Sequence, residues 1–265
     1  MDYIEYEIDG ERATITLSHP ELRNALTFGM AEEIKTAIDD IEDSDARCLV
    51  LTGSEGSFCA GGDIESMMDG LDGGFEGEGL DDIIENAALP VNRCVQRVYE
   101  CELPTIARVE GSAYGAGATL AIACDVVLAS EDAKFNFGFR RIGLSVDSGT
   151  SYLLPRAVGE KHAMDLVFSG DIVDAERAEE IGLISRAFDA EEFDERVEEY
   201  VENVANGPTV ALTHSKRFIQ SGINRSFDEV IEAEEEGLRA CFTSQDFMNG
   251  VSAFLSKEEP DFQGR

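Results

Sequence analysis

Two stretches of this chain are built to present backbone amides to a ligand. In one, Thr105 to Val109 is apolar and β-branched and runs into a turn with Gly111, Gly115 and Gly117, while Ala116 to Cys124 carries only small or apolar side chains. Glycine permits a tight turn and a close approach. A helix starting there aims unpaired N–H groups and the positive end of its dipole at whatever lies in front of it. The ligand should therefore carry, or develop, negative charge. In the other, Cys48 to Thr52 reads as a buried strand followed by G-S-E-G-S-F-C-A-G-G-D-I, where Gly61 and Gly62 precede an acidic helix start at Asp63. One amide from each turn would make an oxyanion hole, which stabilises charge appearing on a carbonyl oxygen. Two other readings stay open. Glycine also punctuates ordinary strand-to-helix connections. Gly115-Ala116-Gly117 also begins a dinucleotide fingerprint, although Leu120 stands where its third small residue belongs.

Three ordered blocks extend the pattern: L-T-G-S-E-G-S-F-C-A-G-G-D-I from Leu51, V-E-G-S-A-Y-G-A-G-A-T-L-A-I-A-C-D from Val109, and F-R-R-I-G-L-S-V-D-S-G-T-S-Y-L-L-P-R from Phe139. Together they resemble the crotonase (enoyl-CoA hydratase/isomerase) superfamily, from His19 through to the Ala253 segment. The resemblance implies an α/β fold, a spiral of ββα turns with a helical C-terminal region. It also implies an acyl-CoA thioester whose carbonyl oxygen sits between the amides of Gly62 and Ala116. Around them it implies a cleft drawn from Arg23, Ala25, Ala60, Gly61, Asp63, Ile64, Gly115, Thr119, Phe139 and Lys257, with Arg23 and Lys257 as partners for the CoA phosphates. No metal and no separate cofactor is expected, CoA being part of the substrate.

The acid–base positions depart from the hydratases. Where the family usually places two glutamates that hold and activate a water, this chain has Thr119 and Phe139, and neither exchanges a proton usefully. A third family position, aspartate in several isomerases and dehalogenases, is Asp147. One carboxylate with an oxyanion hole suffices to move a proton between two carbons of an enolisable acyl chain, by the logic of ketosteroid isomerase on another fold. The expectation is an enoyl-CoA isomerase. The alternatives are a hydratase, a scaffold that binds CoA without catalysis, and, for Asp147 itself, a plain helix cap before Ser148 to Leu154.

The elements that must position these groups follow from periodicity and caps. Ile4–Ile8 and Ala13–Leu17 form a hairpin around Asp9-Gly10. Phe28 to Glu42 is a helix capped by Thr27, with Met30, Ile34, Ala37, Ile38 and Ile41 on one face. Glu65 to Asp82, acidic and glycine-rich, is expected to be a mobile segment, either a lid over the acyl pocket or a solvated loop. Pro90 opens a helix through Tyr99. Short strands are expected at Asp125–Ala129, Lys134–Phe137 and Leu183–Phe188, with a helix capped by Asp174 between the last two and another from Phe193 closed by Gly207-Pro208. Beyond Pro208 the pattern is helical, with a capping box at Ser226 and Glu229. Residues 1–207 then form the spiral core, and residues 208–265 a helical region through which the family assembles as trimers or pairs of trimers. His19 is expected in a turn or at the surface.

Composition bounds the setting. The chain has 265 residues, enough for a substantial core, and 55 acidic against 21 basic residues give a formal net charge of −34. Such a field repels nucleic acid and anionic membranes. Lysine occurs only at positions 35, 134, 161, 216 and 257. Acid excess with scarce lysine and ordinary hydrophobic content points to a halophile's protein, adapted to high intracellular salt; the plainer alternative is an acidic cytosolic protein. Six cysteines without C-x-x-C spacing read as reduced, buried thiols. With no signal segment and no apolar run of about 18 residues, a cytoplasmic location is expected. The charge balance also predicts that stability rises with ionic strength, because the Debye length shrinks from about 30 Å at 0.01 M salt to about 3 Å at 1 M. Thermal midpoints measured across that range should climb, and equal midpoints would contradict the expectation.

Overall fold

A computed structural model describes residues 1–64 and 84–265. The expected mobile segment at Glu65–Asp82 lies outside the described residues. Among the described residues, nine strands form two sheets. In chain order they are β1 (Ile4–Asp9), β2 (Arg12–Leu17), β3 (Cys48–Gly53), β4 (Thr105–Val109), β5 (Ser112–Tyr114), β6 (Val126–Ser130), β7 (Lys134–Asn136), β8 (Ile172–Asp174) and β9 (Arg186–Phe188). The larger sheet has the order β1-β2-β3-β4-β6-β9, parallel throughout except for the β1–β2 hairpin. The smaller has β5 parallel to β7 and β7 antiparallel to β8. The helices are α1 (Phe28–Glu42), α2 (Leu89–Tyr99), α3 (Ala116–Ala123), α4 (Thr150–Ser169), α5 (Ala175–Glu180), α6 (Phe193–Ala205), α7 (Thr209–Gly222), α8 (Phe227–Thr243) and α9 (Gln245–Ser256).

The connectivity is a spiral. β4 lies in the large sheet, β5 in the small one, and α3 follows; β6 and β7 repeat the step. The preceding turn runs from β3 to Cys59, whose parallel bridge to Ala113 sets it beside β5. Each turn therefore contributes to both sheets before leaving into a helix or helical turn. No sequence repeat announces this, because each turn is specified by different side chains. Burial explains the layering. Along β3, Leu49 and Leu51 join the main core with α1, α2 and α3. Cys48 and Val50, on the other face, join Ile106, Leu128 and the α6 residues Phe193, Val197 and Val201 in a second cluster. A strand buried on both faces reads as the unbroken apolar run seen in the sequence.

Several expectations hold residue by residue. Thr27 Oγ1 accepts from the Met30 amide at 3.1 Å at the start of α1, and Asp174 Oδ1 accepts from Arg177 N at 2.9 Å at the start of α5. The Ser226–Glu229 capping box is closed in both directions. Others need correction. The strand expected over Leu183–Phe188 shortens to Arg186–Phe188, because the Leu183 amide donates to Ala178 O and closes the end of α5 instead. β5 and β8 were not expected. The helix after Asp147 continues to Ser169, through Pro155 and a non-helical Gly159 at φ 77°. Asp147 is not its cap: Gly149 holds that position, with no side-chain cap bond. The described cysteines are all free, and burial pushes the Cys59 thiol up to about 12, which keeps it protonated.

The C-terminal helices are tied to the core by a buried ion pair. Lys216 Nζ on α7 reaches Asp125 Oδ2 at 2.7 Å and the Leu103 carbonyl at 2.8 Å. The same Asp125 oxygen accepts from the amide and hydroxyl of Thr105 at the start of β4.

The spiral turns pack so closely that one glycine has no room for a side chain. A Cβ on Gly117 would lie 2.4 Å from the Cys59 carbonyl oxygen and 2.7 Å from its Sγ. Alanine is intrinsically better in a helix by about 0.8–1.0 kcal/mol, but overpacking against backbone that cannot swing aside costs up to about 3 kcal/mol. Gly117→Ala should therefore lower the thermal midpoint by several degrees; a midpoint raised as helix propensity alone demands would contradict this packing.

Candidate functional site

The two amide-bearing turns meet at one cavity. Its volume is about 250 Å³, and its described lining includes Ala60, Gly61, Gly62 and Ile64 from the first turn, Tyr114, Gly115 and Ala116 from the second, Asn136, Gly138 and Phe139 from the third, and Val91, Asn92, Leu144, Asp147 and Ser148. Consecutive turns of the spiral thus deliver equivalent positions to the same wall.

Backbone pairing determines which amides are left for a ligand. In a parallel bridge, one residue uses both its N–H and its C=O, bonding to the neighbours of its opposite number. Here Leu26 N donates to Gly61 O at 2.7 Å and Leu26 O accepts from Asp63 N at 3.1 Å. The Gly62 amide is consequently turned away from the bridge, on the side of the cavity it lines. Ala116 is the first residue of α3, so its amide has no carbonyl one turn earlier within the helix. Among the described residues neither amide has a backbone acceptor. Gly61 makes this bend possible with φ 112°, and a Cβ there would lie 3.0 Å from the Tyr114 carbonyl oxygen.

The segment Arg23–Leu26 braces the first turn from behind. Asn24 is fully buried, and its Nδ2 donates to the carbonyls of Ser54 at 3.0 Å and Ser57 at 2.7 Å. Ala60 N donates to Arg23 O at 3.0 Å. Arg23 therefore sits at the back of this turn with its side chain exposed, while Ala25 is buried away from the cavity lining. Asp63 is buried just beyond the lining. Lys257 lies at the exposed C-terminal cap of α9 and is not among the described lining residues. Nor is Thr119, which is fully buried: its hydroxyl donates to Gly115 O at 3.1 Å and shares a 2.6 Å hydrogen bond with Thr150 Oγ1. That pair locks the first turn of α3 to the first turn of α4. Phe139 does line the cavity and gives it an apolar wall.

Asp147 is the carboxylate among the described lining residues. It is half-buried, and burial pushes its carboxyl above the ordinary value of 3.8, with the Ser148 hydroxyl acting in the opposite direction. Ser148 Oγ donates to Asp147 Oδ1 at 2.8 Å, and Asp147 O accepts from Thr150 N at 2.8 Å. The arrangement can polarise a carbonyl with two amides and exchange a proton with a carbon held against Asp147. Sequence reasoning missed the bracing residues Asn24 and Asn92. Asn24 stands in the segment from His19 with which the resemblance begins, but nothing in the sequence shows which loop it holds. Among the described residues, no cluster of three His, Cys, Asp or Glu side chains is arranged to hold a metal ion, and no helix is long and apolar enough to cross a membrane.

Comparison with known proteins decides the family. The sequence profile of the enoyl-CoA hydratase/isomerase family matches residues 7–265. The chain belongs to this family. It is 37% identical over 262 residues to a Rhodobacter capsulatus protein named "Probable enoyl-CoA hydratase", covering 99% of this chain and 98% of the relative. It is 34% identical over 266 residues to the 1,2-epoxyphenylacetyl-CoA isomerase of Escherichia coli, covering all of both chains. The crystal structure of an enoyl-CoA hydratase/isomerase from Cupriavidus metallidurans superposes with a TM-score of 0.89 at 30% identity, covering 100% of this chain and 97% of that one. The α/β architecture is thus the crotonase fold, and the protein is an acyl-CoA enzyme of this family. Its relatives carry both hydratase and isomerase names.

Proposed function

We propose that this enzyme shifts a double bond in an enoyl-CoA, or in a ring-derived unsaturated acyl-CoA, by a proton transfer through Asp147. The observation that carries this reading is that Asp147 is the carboxylate on the described cavity wall, while Thr119 is engaged behind the wall and Phe139 closes it with a ring. The thioester oxygen lies between the amides of Gly62 and Ala116. Asp147 takes a proton from the carbon next to the carbonyl of a 3-enoyl thioester, and the electron pair spreads as a dienolate whose negative oxygen the two amides stabilise. The protonated Asp147 returns the proton two carbons further along, leaving the conjugated 2-enoyl thioester and the carboxylate ready again. Each such amide is worth about 2.7–4 kcal/mol to the transition state. Hydration is the second reading, favoured by the name of the Rhodobacter relative. It needs a held water and normally a second acid–base group, and the described wall carries no second carboxylate for that task.

Binding in this reading uses Arg23, exposed behind the first turn, and Lys257, acting across a subunit boundary, for the CoA phosphates. Assembly as a trimer, or a pair of trimers, covers the exposed apolar residues of the C-terminal helices, among them Ile219, Phe227, Phe254 and Leu255.

Formation of the conjugated thioester, followed by its ultraviolet absorption, tests the proposal. Asp147→Asn should bind acyl-CoA normally but lose about 10²- to 10⁴-fold in kcat, the usual contribution of a general acid–base group. Since the working form is the carboxylate and burial raises its pKa, kcat of the native enzyme should rise with pH through a midpoint above 3.8 and then level off. Wild-type turnover by Asp147→Asn would refute the mechanism. Water addition without double-bond migration would establish the hydratase, and CoA binding without turnover of any unsaturated acyl-CoA would establish a scaffold.

A further inference from the structure

The turn that carries Asp147 is held from another part of the chain. Ser148 has φ 53°, in the left-handed region that a serine seldom occupies, and Gly149 follows at φ 78° before α4 begins. Such a conformation persists only where its surroundings over-determine it. Ser148 is buried to 2% exposure, and its amide donates at 2.9 Å to Oδ1 of Asn92, 56 residues earlier on α2. The same serine donates its hydroxyl to Asp147 Oδ1. A chain of two hydrogen bonds therefore runs from Asn92 through Ser148 to the carboxylate. Asn92 is itself well anchored. Pro90 lies in the first turn of α2, and Val91, Cys94 and Val95 on either side of it are buried in the main core. Because Oδ1 is committed to an N–H, the orientation of the Asn92 amide is fixed.

We infer that Asn92 is a positioning residue for the base: its side-chain carbonyl holds the Ser148 amide, and with it the left-handed turn that aims the Asp147 carboxylate at the acyl chain. The inference rests on Asp147 being the base. Leucine or alanine at position 92 would keep the helix but leave the Ser148 amide without its acceptor, and the turn would relax toward an ordinary backbone conformation. A displacement of about 1 Å between reacting groups can cost about 10²-fold in rate.

The test compares Asn92→Ala, Asn92→Asp and Asp147→Asn in the full-length enzyme. It measures kcat and KM for a 3-enoyl-CoA across pH, deuterium uptake from D₂O into the acyl chain by NMR, and the thermal midpoint. Asn92→Ala should lower kcat and the rate of deuterium uptake together by about 10- to 100-fold, with KM within about threefold of wild type because the amides of Gly62 and Ala116 are untouched. Asn92→Asp keeps the acceptor but sets a second carboxylate beside Asp147, in a cavity whose other described ionisable lining groups are Tyr114 and Arg141. A like charge raises a carboxyl pKa, so this variant should recover most of kcat at high pH with its profile displaced upward. If Asn92→Ala fails to fold, the displaced profile of Asn92→Asp still decides. Wild-type kcat and an unmoved pH profile in the Asn92 variants, alongside an inactive Asp147→Asn, would overturn this inference alone. Full activity in Asp147→Asn would overturn the assignment of the base and this inference with it.

Discussion

The site depends on the close stacking of successive spiral turns. Cys59 bridges to Ala113, the Tyr114 amide returns to Cys59 O at 2.9 Å, and Gly115 N donates to Asn136 O at 2.7 Å, so three turns are stitched together by their backbones. This pairing consumes the amides of Asp63 and Gly115, next to Gly62 and Ala116, and leaves those two without a backbone acceptor among the described residues, on the cavity wall. No side chain is needed to make the hole. That tolerates the alanine at position 116, whose amide is presented as a glycine's would be, and makes the absence of a Cβ at Gly117 essential. Amides held in this way are preorganised by the fold itself, so in the proposed role as an oxyanion hole little of their stabilisation would be lost to reorganisation during the reaction.

The carboxylate side of the cavity is built differently. Asp147 sits in a turn between Gly143 and α4 that belongs to neither sheet, and its geometry comes from side-chain contacts: Asn92 to Ser148, Ser148 to Asp147, and Thr119 to Thr150. Thr119, where the resemblance implies a water-activating glutamate, instead carries a hydroxyl that fastens α3 to α4. That hydroxyl has a structural use, and burial raises the pKa of the Asp147 carboxyl. These features are the ones on which the proposed transfer between carbons rests.

Local signals made much of the fold legible. Thr27, Asp174 and Ser226 with Glu229 announced three helix starts that the backbone bears out, because a cap is satisfied within a few residues. The glycine turns announced the amides for the same reason. What stayed hidden is set by contacts distant in sequence. β5 and β8 are three-residue strands, too short for periodicity, and exist because neighbouring turns pair with them. Leu183 and Ile184 look like a strand but are buried where α5 ends. The latter half of α4 was obscured by Pro155 and Gly159, residues that usually end a helix. Asn92 reads as an unremarkable polar position on an amphipathic helix until its partner at Ser148 is seen.

The central claim is that the amides of Gly62 and Ala116 together receive the thioester oxygen, with the acyl chain against Asp147. A crystal structure with a bound, non-reacting CoA thioester tests it most directly. The account predicts the carbonyl oxygen about 2.7–3.1 Å from both amide nitrogens, with the second and fourth acyl carbons on the Asp147 side. A thioester oxygen bonded elsewhere, with either amide left to water, would contradict it.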